Sequence, residues 1–224
     1  MIKKDEEIMM SSKSQRERCI RIFKRLKARY PDARCTLEWK YPWQLLVSSI
    51  LSPQCTDAVN NVVTKELWKK FPTVDALSHA SVHEIERIVK PCGMFHVKAR
   101  YVHETALMLR DRFHGKVPDS LSTLREFPGI GRKTGLVVML EAFGKTEGII
   151  VDTHNMRIVL RTGLSRAKGA DAVETDLMKV VLEKYWPLWS HLMLFHGREV
   201  CVAKNPKCGE CPIYEECDFE RKLD

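Results

Sequence analysis

Along most of the chain the apolar positions recur at steps of three and four residues, the spacing that lines one face of an α-helix. Cys19, Ile22, Phe23, Leu26 and Tyr30 form the first such stripe. Ser14 followed by Glu17 supplies a capping-box start and Pro31 a stop, which predicts a helix there with residues 1–13 as a polar tail. Pro42–Leu51 is short and almost wholly apolar, the pattern of a buried helix. A helix over Thr56–Phe71 is ended by Pro72, and another runs from a Ser81–Glu84 capping box to Lys90. Between Met94 and Phe113 the stripe Phe95, Val102, Ala106, Leu109 and Phe113 marks a long amphipathic helix closed by Gly115. Leu121–Phe127 and Arg132–Phe143 flank Pro128-Gly129-Ile130-Gly131, and two or three more helices fill Thr153–Tyr185 and Leu188–Val200. The single strand-like run, Ile149-Ile150-Val151, is too short for a sheet and reads as a connector. The expected fold class is all-α.

Composition narrows the picture only a little. Of 224 residues 44% are hydrophobic and 29% charged, an ordinary globular balance that excludes collagen-like and largely disordered chains. No run approaches 18 consecutive apolar residues, so no membrane span is expected. Met1–Gln15 lacks the apolar segment of a secretory signal, so an intracellular protein is expected, in the cytoplasm or nucleoid if the source is prokaryotic. The 37 Lys and Arg against 29 Asp and Glu give a net +8, a lean toward a polyanionic partner. Residues 1–30 hold ten basic and four acidic side chains, net +6, while residues 201–224 hold four and six, net −2. The basic run reads equally as a solvated helix face or as a polyanion-facing one. No spare amphipathic surface stands out, so a monomer is expected.

The eight cysteines divide into two sets. Cys19, Cys35, Cys55 and Cys92 are scattered without ligand spacing and read as small buried hydrophobes. Cys201-x6-Cys208-x2-Cys211-x5-Cys217 is a compact array. In a reducing compartment such an array reads as metal ligands rather than disulfides. Zinc and an iron–sulfur cluster both fit four thiolates. One CxxC pair instead of two, with unequal outer arms, favours a cuboidal [4Fe–4S] cluster in a structural role. Lys204 and Lys207 lie between the first two cysteines, either as a phosphate-binding lobe or as solvated lysines.

Phe127-Pro128-Gly129-Ile130-Gly131-Arg132-Lys133-Thr134 joins two helices through a Gly-x-Gly turn. Glycines permit positive φ and close backbone approach, and the N–H groups opening the second helix can receive a phosphate. A plain helical hairpin is the alternative. Lys133, in the first turn of that helix, is a candidate amine nucleophile able to form a Schiff base. Nineteen residues on, Val151-Asp152-Thr153-His154 opens another helix. Alone, Asp152 reads as an N-cap; paired with Lys133 it is a candidate carboxylate for proton transfer or for stabilising developing positive charge.

Taken in order, these motifs resemble those of the endonuclease III family of helix-hairpin-helix DNA glycosylases, over roughly residues 15–220. His196-Gly197-Arg198 before the cysteines and Leu51-Ser52-Pro53-Gln54-Cys55-Thr56-Asp57 fit the same pattern. The resemblance implies two helical lobes with DNA in the cleft between them. One is a six-helix lobe with the hairpin over 36–145. The other is a cluster lobe made of 14–35 plus 146–224. It implies a [4Fe–4S] cluster on Cys201, Cys208, Cys211 and Cys217, with Lys133 as Schiff-base nucleophile and Asp152 as catalytic aspartate. It implies a bifunctional enzyme of base-excision repair that removes oxidised pyrimidines and cuts the abasic strand by β-elimination. Its partner is double-stranded DNA carrying a damaged pyrimidine or abasic site. Gln54 falls on the position that fills the gap left by the flipped base. Gly129, Gly131, Arg132 and Thr134 fall on the DNA-contacting hairpin, and Lys204 and Lys207 on the cluster loop. Departures are present. Met94 stands where the family often has a leucine wedge, Phe95-His96 replaces Tyr-Asn, and Gly135 replaces an alanine after Thr134, an exchange expected mainly to loosen the helix. An apolar Met94-Phe95 pair opening a helix also reads as core.

Overall fold

The computed structural model describes residues 2–219, with side chains from Lys13 onward. Among the described residues the regular structure is helical throughout, and no helix is long and apolar enough to cross a membrane. The chain divides into two compact units, Thr36–Glu147 and the pair Met1–Cys35 with Gly148–Asp224.

The Thr36–Glu147 unit holds seven α-helical segments where six were expected. They are α2 (Pro42–Leu51), α3 (Asp57–Lys70), α4 (Val74–Ser78), α5 (Val82–Val89), α6 (Phe95–Phe113), α7 (Leu121–Leu124) and α8 (Arg132–Phe143). The short α4 escapes a periodicity reading because five residues hold little more than one turn. Its start is nevertheless encoded, since the Thr73 hydroxyl accepts the Ala76 N–H at 3.0 Å. α2 is buried from Trp43 to Leu51, as its largely apolar sequence requires. Its one long polar side chain, Gln44, turns back to accept the Lys40 and Tyr41 N–H groups at 2.8 and 3.1 Å. That contact satisfies donors the first helical turn cannot. The Ser81–Glu84 capping box forms as read, with reciprocal bonds of 3.2 and 3.0 Å. α6 packs Ala99, Val102, Ala106 and Leu109 into the core and closes at His114 in the left-handed region, one residue before the expected Gly115.

In the other unit, α1 spans Ile2–Arg29, so the expected start at Ser14 lies inside the helix. Of the tail expected over 1–13, Met1 and the side chains through Ser12 lie outside the described residues, as do residues 220–224 at the other end of this unit. The stripe read from sequence is the buried one: Cys19, Ile22, Phe23, Leu26 and Tyr30 face a core shared with Ile149, Val151, Ile158, Val173, Leu177, Trp189 and Ile213. Phe23 stacks on Tyr185 at 3.9 Å. Around α1 lie α9 (Thr153–Thr162), α10 (Ala170–Val180) and α11 (Trp186–Glu199). α9 and α11 approach closely because Gly197 has no side chain; a Cβ there would lie 2.8 Å from the Cβ of His154.

The basic face of α1 has a specific partner. Arg21 holds the buried Glu216 through two bonds of 2.8 and 3.0 Å. Arg18 reaches Asp218 at 2.9 Å, and Arg25 and Arg29 pair with Glu215 and Glu199. Arg21 keeps the Glu216 carboxyl below its usual range. The basic run and the acidic C-terminal segment therefore answer one another inside this unit. The rest of the described run, Lys13, Arg16, Lys24 and Lys27, is exposed, as a solvated face would be.

Candidate active site and cysteine centre

The hairpin forms in the Thr36–Glu147 unit. Phe127 and Ile130 are buried and anchor it, with the Ile130 N–H donating to the Phe127 carbonyl at 3.1 Å. Gly129 has φ +77°, and a Cβ there would lie 2.8 Å from the Tyr101 ring, so both backbone and packing require glycine. Gly131 is the extended N-cap of α8. Arg132, Lys133 and Thr134 form the first turn, where backbone N–H groups point along the axis rather than into the helix ladder. Lys133 is exposed, and Arg132 donates to the Glu147 carbonyl at 3.4 Å. Gly135 is more than a loosened helix position. A Cβ there would meet Leu121 at 2.6 Å, so its absence seats α7 against α8.

Two further loops of this unit carry sequence-identified residues. Gln54 is exposed with φ +54°, and Met94 is half exposed with φ +45°. Both occupy the left-handed region, at a cost of about 1–3 kcal/mol each for a side chain that is not glycine. Such strain clusters at functional sites. Met94 is therefore not core, and Phe95 is only partly buried. The Gln54 loop is built on a polar base, where the buried Asn60 amide donates to the Ser48 carbonyl and the Ser52 hydroxyl, both at 2.9 Å. The Asp57 carboxylate accepts from the Thr36 hydroxyl at 2.5 Å.

Asp152 belongs to the other unit. It is the N-cap of α9, with Oδ1 accepting the Asn155 N–H at 2.7 Å. The buried Asn155 side chain and the Ser190 hydroxyl both donate to the Ile150 carbonyl at 2.9 Å, which fixes the connector from which Asp152 projects. Asp152 stays partly exposed, and its cap occupies only one carboxylate oxygen. One turn on, the Arg157 guanidinium touches His154 Nδ1 at 3.1 Å and donates to the Gly197 and Cys201 carbonyls at 2.8 and 2.9 Å. The cap of α9 and the first cysteine are thereby held in one frame.

Cys201, Cys208, Cys211 and Cys217 line one small cavity, walled also by Ile158, Val200 and Ile213. Among the described residues no three His, Cys, Asp or Glu side chains converge tightly enough to hold a single metal ion. All four cysteines line the same cavity, as a cuboidal cluster with four thiolate ligands requires. Burial pushes the Cys211 thiol up to about 11, against an opposing backbone bond from Ile213, so a bound cation is what makes it a thiolate at neutral pH. Donors surround the sulfurs. Arg161 Nη1 lies 3.2 Å from the Cys201 sulfur and also donates to the Val202 carbonyl at 2.8 Å. His196 is buried, which lowers its pKa to about 4 and keeps the ring neutral. Its Nδ1 lies 3.3 Å from the Tyr30 hydroxyl and its Nε2 3.6 Å from the Cys211 sulfur. Sequence reading missed Arg161 and gave His196 only a place in a motif. The available signal was Arg157 and Arg161 one turn apart, flanking the buried face of Asn155, Ile158, Val159 and Thr162 on α9. Lys204 and Lys207 are exposed on the loop, with Asn205 between them at φ +51°.

A family profile described as HhH-GPD superfamily base excision DNA repair protein matches residues 47–183, and the iron–sulfur binding domain of endonuclease III matches residues 201–217. Fold and site thus define a DNA-acting repair protein of the helix-hairpin-helix class. Endonuclease III of Synechocystis sp. is 39% identical over 91% of this chain and 93% of its own. The Escherichia coli K12 protein of that name is 34% identical over 92% and 97%. The structure of a trapped endonuclease III–DNA covalent intermediate superposes with a TM-score of 0.86 at 36% identity, covering 91% of this chain and 95% of that one. A non-covalent endonuclease III–DNA complex gives 0.83 at 37% identity, with 88% and 92% covered. The chain belongs to the endonuclease III family of DNA glycosylase/abasic-site lyases, and its cofactor is a [4Fe–4S] cluster.

Proposed function

We propose that this enzyme excises oxidised or saturated pyrimidines from duplex DNA and then cuts the abasic strand by β-elimination. The observation that carries the reading is an exposed lysine, Lys133, in the first turn of the helix that follows the Gly129–Gly131 hairpin. Lys133 Nζ attacks the deoxyribose C1′ as the base leaves with the glycosidic electron pair and is protonated. Opening of the sugar gives the imine. Loss of a C2′ proton then expels the 3′ phosphate oxygen, and hydrolysis of the imine regenerates the amine. Asp152 serves as the carboxylate that stabilises the developing positive charge or moves the proton, through the oxygen its cap leaves available. Gly129, Gly131, Arg132 and Thr134 bind a backbone phosphate at the opening of α8. Gln54 and Met94 enter the duplex and fill the space of the flipped nucleotide; flipping is general to glycosylases and costs a few kcal/mol, less for a damaged base. Cys201, Cys208, Cys211 and Cys217 hold the cluster, which stiffens the loop when bound, and Lys204 and Lys207 on that loop meet phosphates. The protein acts as a monomer on DNA inside the cell.

The test uses two duplexes that differ only in thymine against dihydrothymine. The expected result is release of the saturated base alone, with a strand break whose 3′ end carries the unsaturated aldehyde left by β-elimination. Base release with an intact strand would overturn the lyase half of the reading, and no release would overturn the substrate class.

A further inference from the structure

α6 carries a lysine in the middle of an otherwise apolar stripe. Lys98 lies three residues after Phe95 and four before Val102, and it is 3% exposed. Its Nζ donates to the Pro53 carbonyl and to the Cys92 carbonyl, each at 2.6 Å. The first carbonyl belongs to the residue before Gln54; the second lies two residues before Met94. Between them Gly93 adopts φ +62°, and a Cβ at that position would sit 3.8 Å from the Gln54 carbonyl oxygen. The two turns therefore run side by side, and one buried ammonium ties them together.

An apolar residue of similar length would fill this space without the cost of desolvating a charge. Burial does lower the Lys98 pKa. What the lysine adds is two charge-assisted bonds to the backbone next to two side chains held in left-handed conformations. We propose that Lys98 is a positioning residue that fixes Gln54 and Met94 for entry into the duplex and so sets the discrimination between damaged and intact DNA. This rests on the reading of Gln54 and Met94 as the penetrating side chains.

The experiment compares cluster-loaded wild type with Lys98→Met, which keeps length and packing but donates nothing. The readout is the ratio of affinities for a duplex with a tetrahydrofuran abasic analogue and for the intact duplex. 2-Aminopurine opposite the site reports unstacking, and a thermal melt reports folding. Lys98→Met is expected to lower the ratio by roughly tenfold or more, since small displacements of positioning groups cost up to about a hundredfold. Affinity for intact DNA should hold and the 2-aminopurine signal should weaken. In a Gln54→Ala/Met94→Ala background, itself of lowered ratio, the same change should add no more than about twofold, because sites acting through one another are not additive. An unchanged ratio in Lys98→Met overturns the proposal. So does an equal loss in both backgrounds, which would give Lys98 a role independent of the two loops. If Gln54→Ala/Met94→Ala leaves the ratio unaltered, the penetrating role of the loops fails and this inference fails with it, while base release by the wild type still stands. Should Lys98→Met not melt cooperatively, Lys98→Gln, which retains one amide donor, is read the same way with an intermediate loss expected.

Discussion

Asp152→Asn is expected to slow base excision by about 10²- to 10⁴-fold, the range supplied by a positioned acid or base, while leaving the melting temperature within a degree or two of wild type. The substitution separates two roles that coincide in one side chain. The carboxylate caps α9 through the Asn155 N–H at 2.7 Å. Asparagine caps a helix about as well as aspartate, so the cap persists. What is lost is the negative charge and the proton-accepting oxygen. Asp152→Ala should show the contrast, with the same loss of rate plus about 1 kcal/mol of lost stability. Single-turnover base release and a thermal melt check both numbers. If Asp152→Asn excises at the wild-type rate, the residue is a helix cap and nothing more.

The second large effect lies at the cysteines. Cys211→Ala is expected to yield protein without iron or inorganic sulfide and with a lowered, broadened melt. The loop from Cys201 to Cys217 contains only single 3₁₀ turns at Cys208–Glu210 and Tyr214–Glu216, so little secondary structure holds it. Its four cysteines line one cavity, so the group they hold is what ties the loop together. The α1 arginines that grip Glu215, Glu216 and Asp218 would then bind a segment with no fixed position. Binding free energy at a folding-coupled metal site is folding free energy, of the same order as a domain's whole stability of about 5–15 kcal/mol. Iron analysis and calorimetry decide the matter. A folded, iron-free variant melting with wild type would remove the structural role of the centre.

Much of this was legible because local chemistry agrees with the final arrangement. The apolar run of α2, the Ser81–Glu84 box and the hairpin glycines each name their own structure. The cysteine array also announces itself, because ligand spacing is a local property. What stayed hidden depends on residues far apart in the chain. The four arginines of α1 show as net charge, but their acidic partners lie some 170 to 200 positions away. Arg161 and His196 acquire meaning only once α9 and α11 frame the cysteines. Lys98 was a readable anomaly, a charge on an apolar stripe, yet its purpose appears only when the Pro53 and Cys92 carbonyls are seen to meet it. Likewise, that Asp152 caps α9 could be read from its position, whereas that Gly135 seats α7 could not.

The most direct test of the central claim is borohydride reduction of the protein on a duplex with one abasic site, followed by peptide mapping of the adduct. An imine between an amine and C1′ is reduced to a stable covalent link, so the nucleophile is marked by its own chemistry. The predicted result is one cross-linked species with the DNA fragment on Lys133, absent from Lys133→Ala even at concentrations where that variant still binds the duplex. An adduct on another amine, or no adduct from a wild-type protein that cuts the strand, would contradict it.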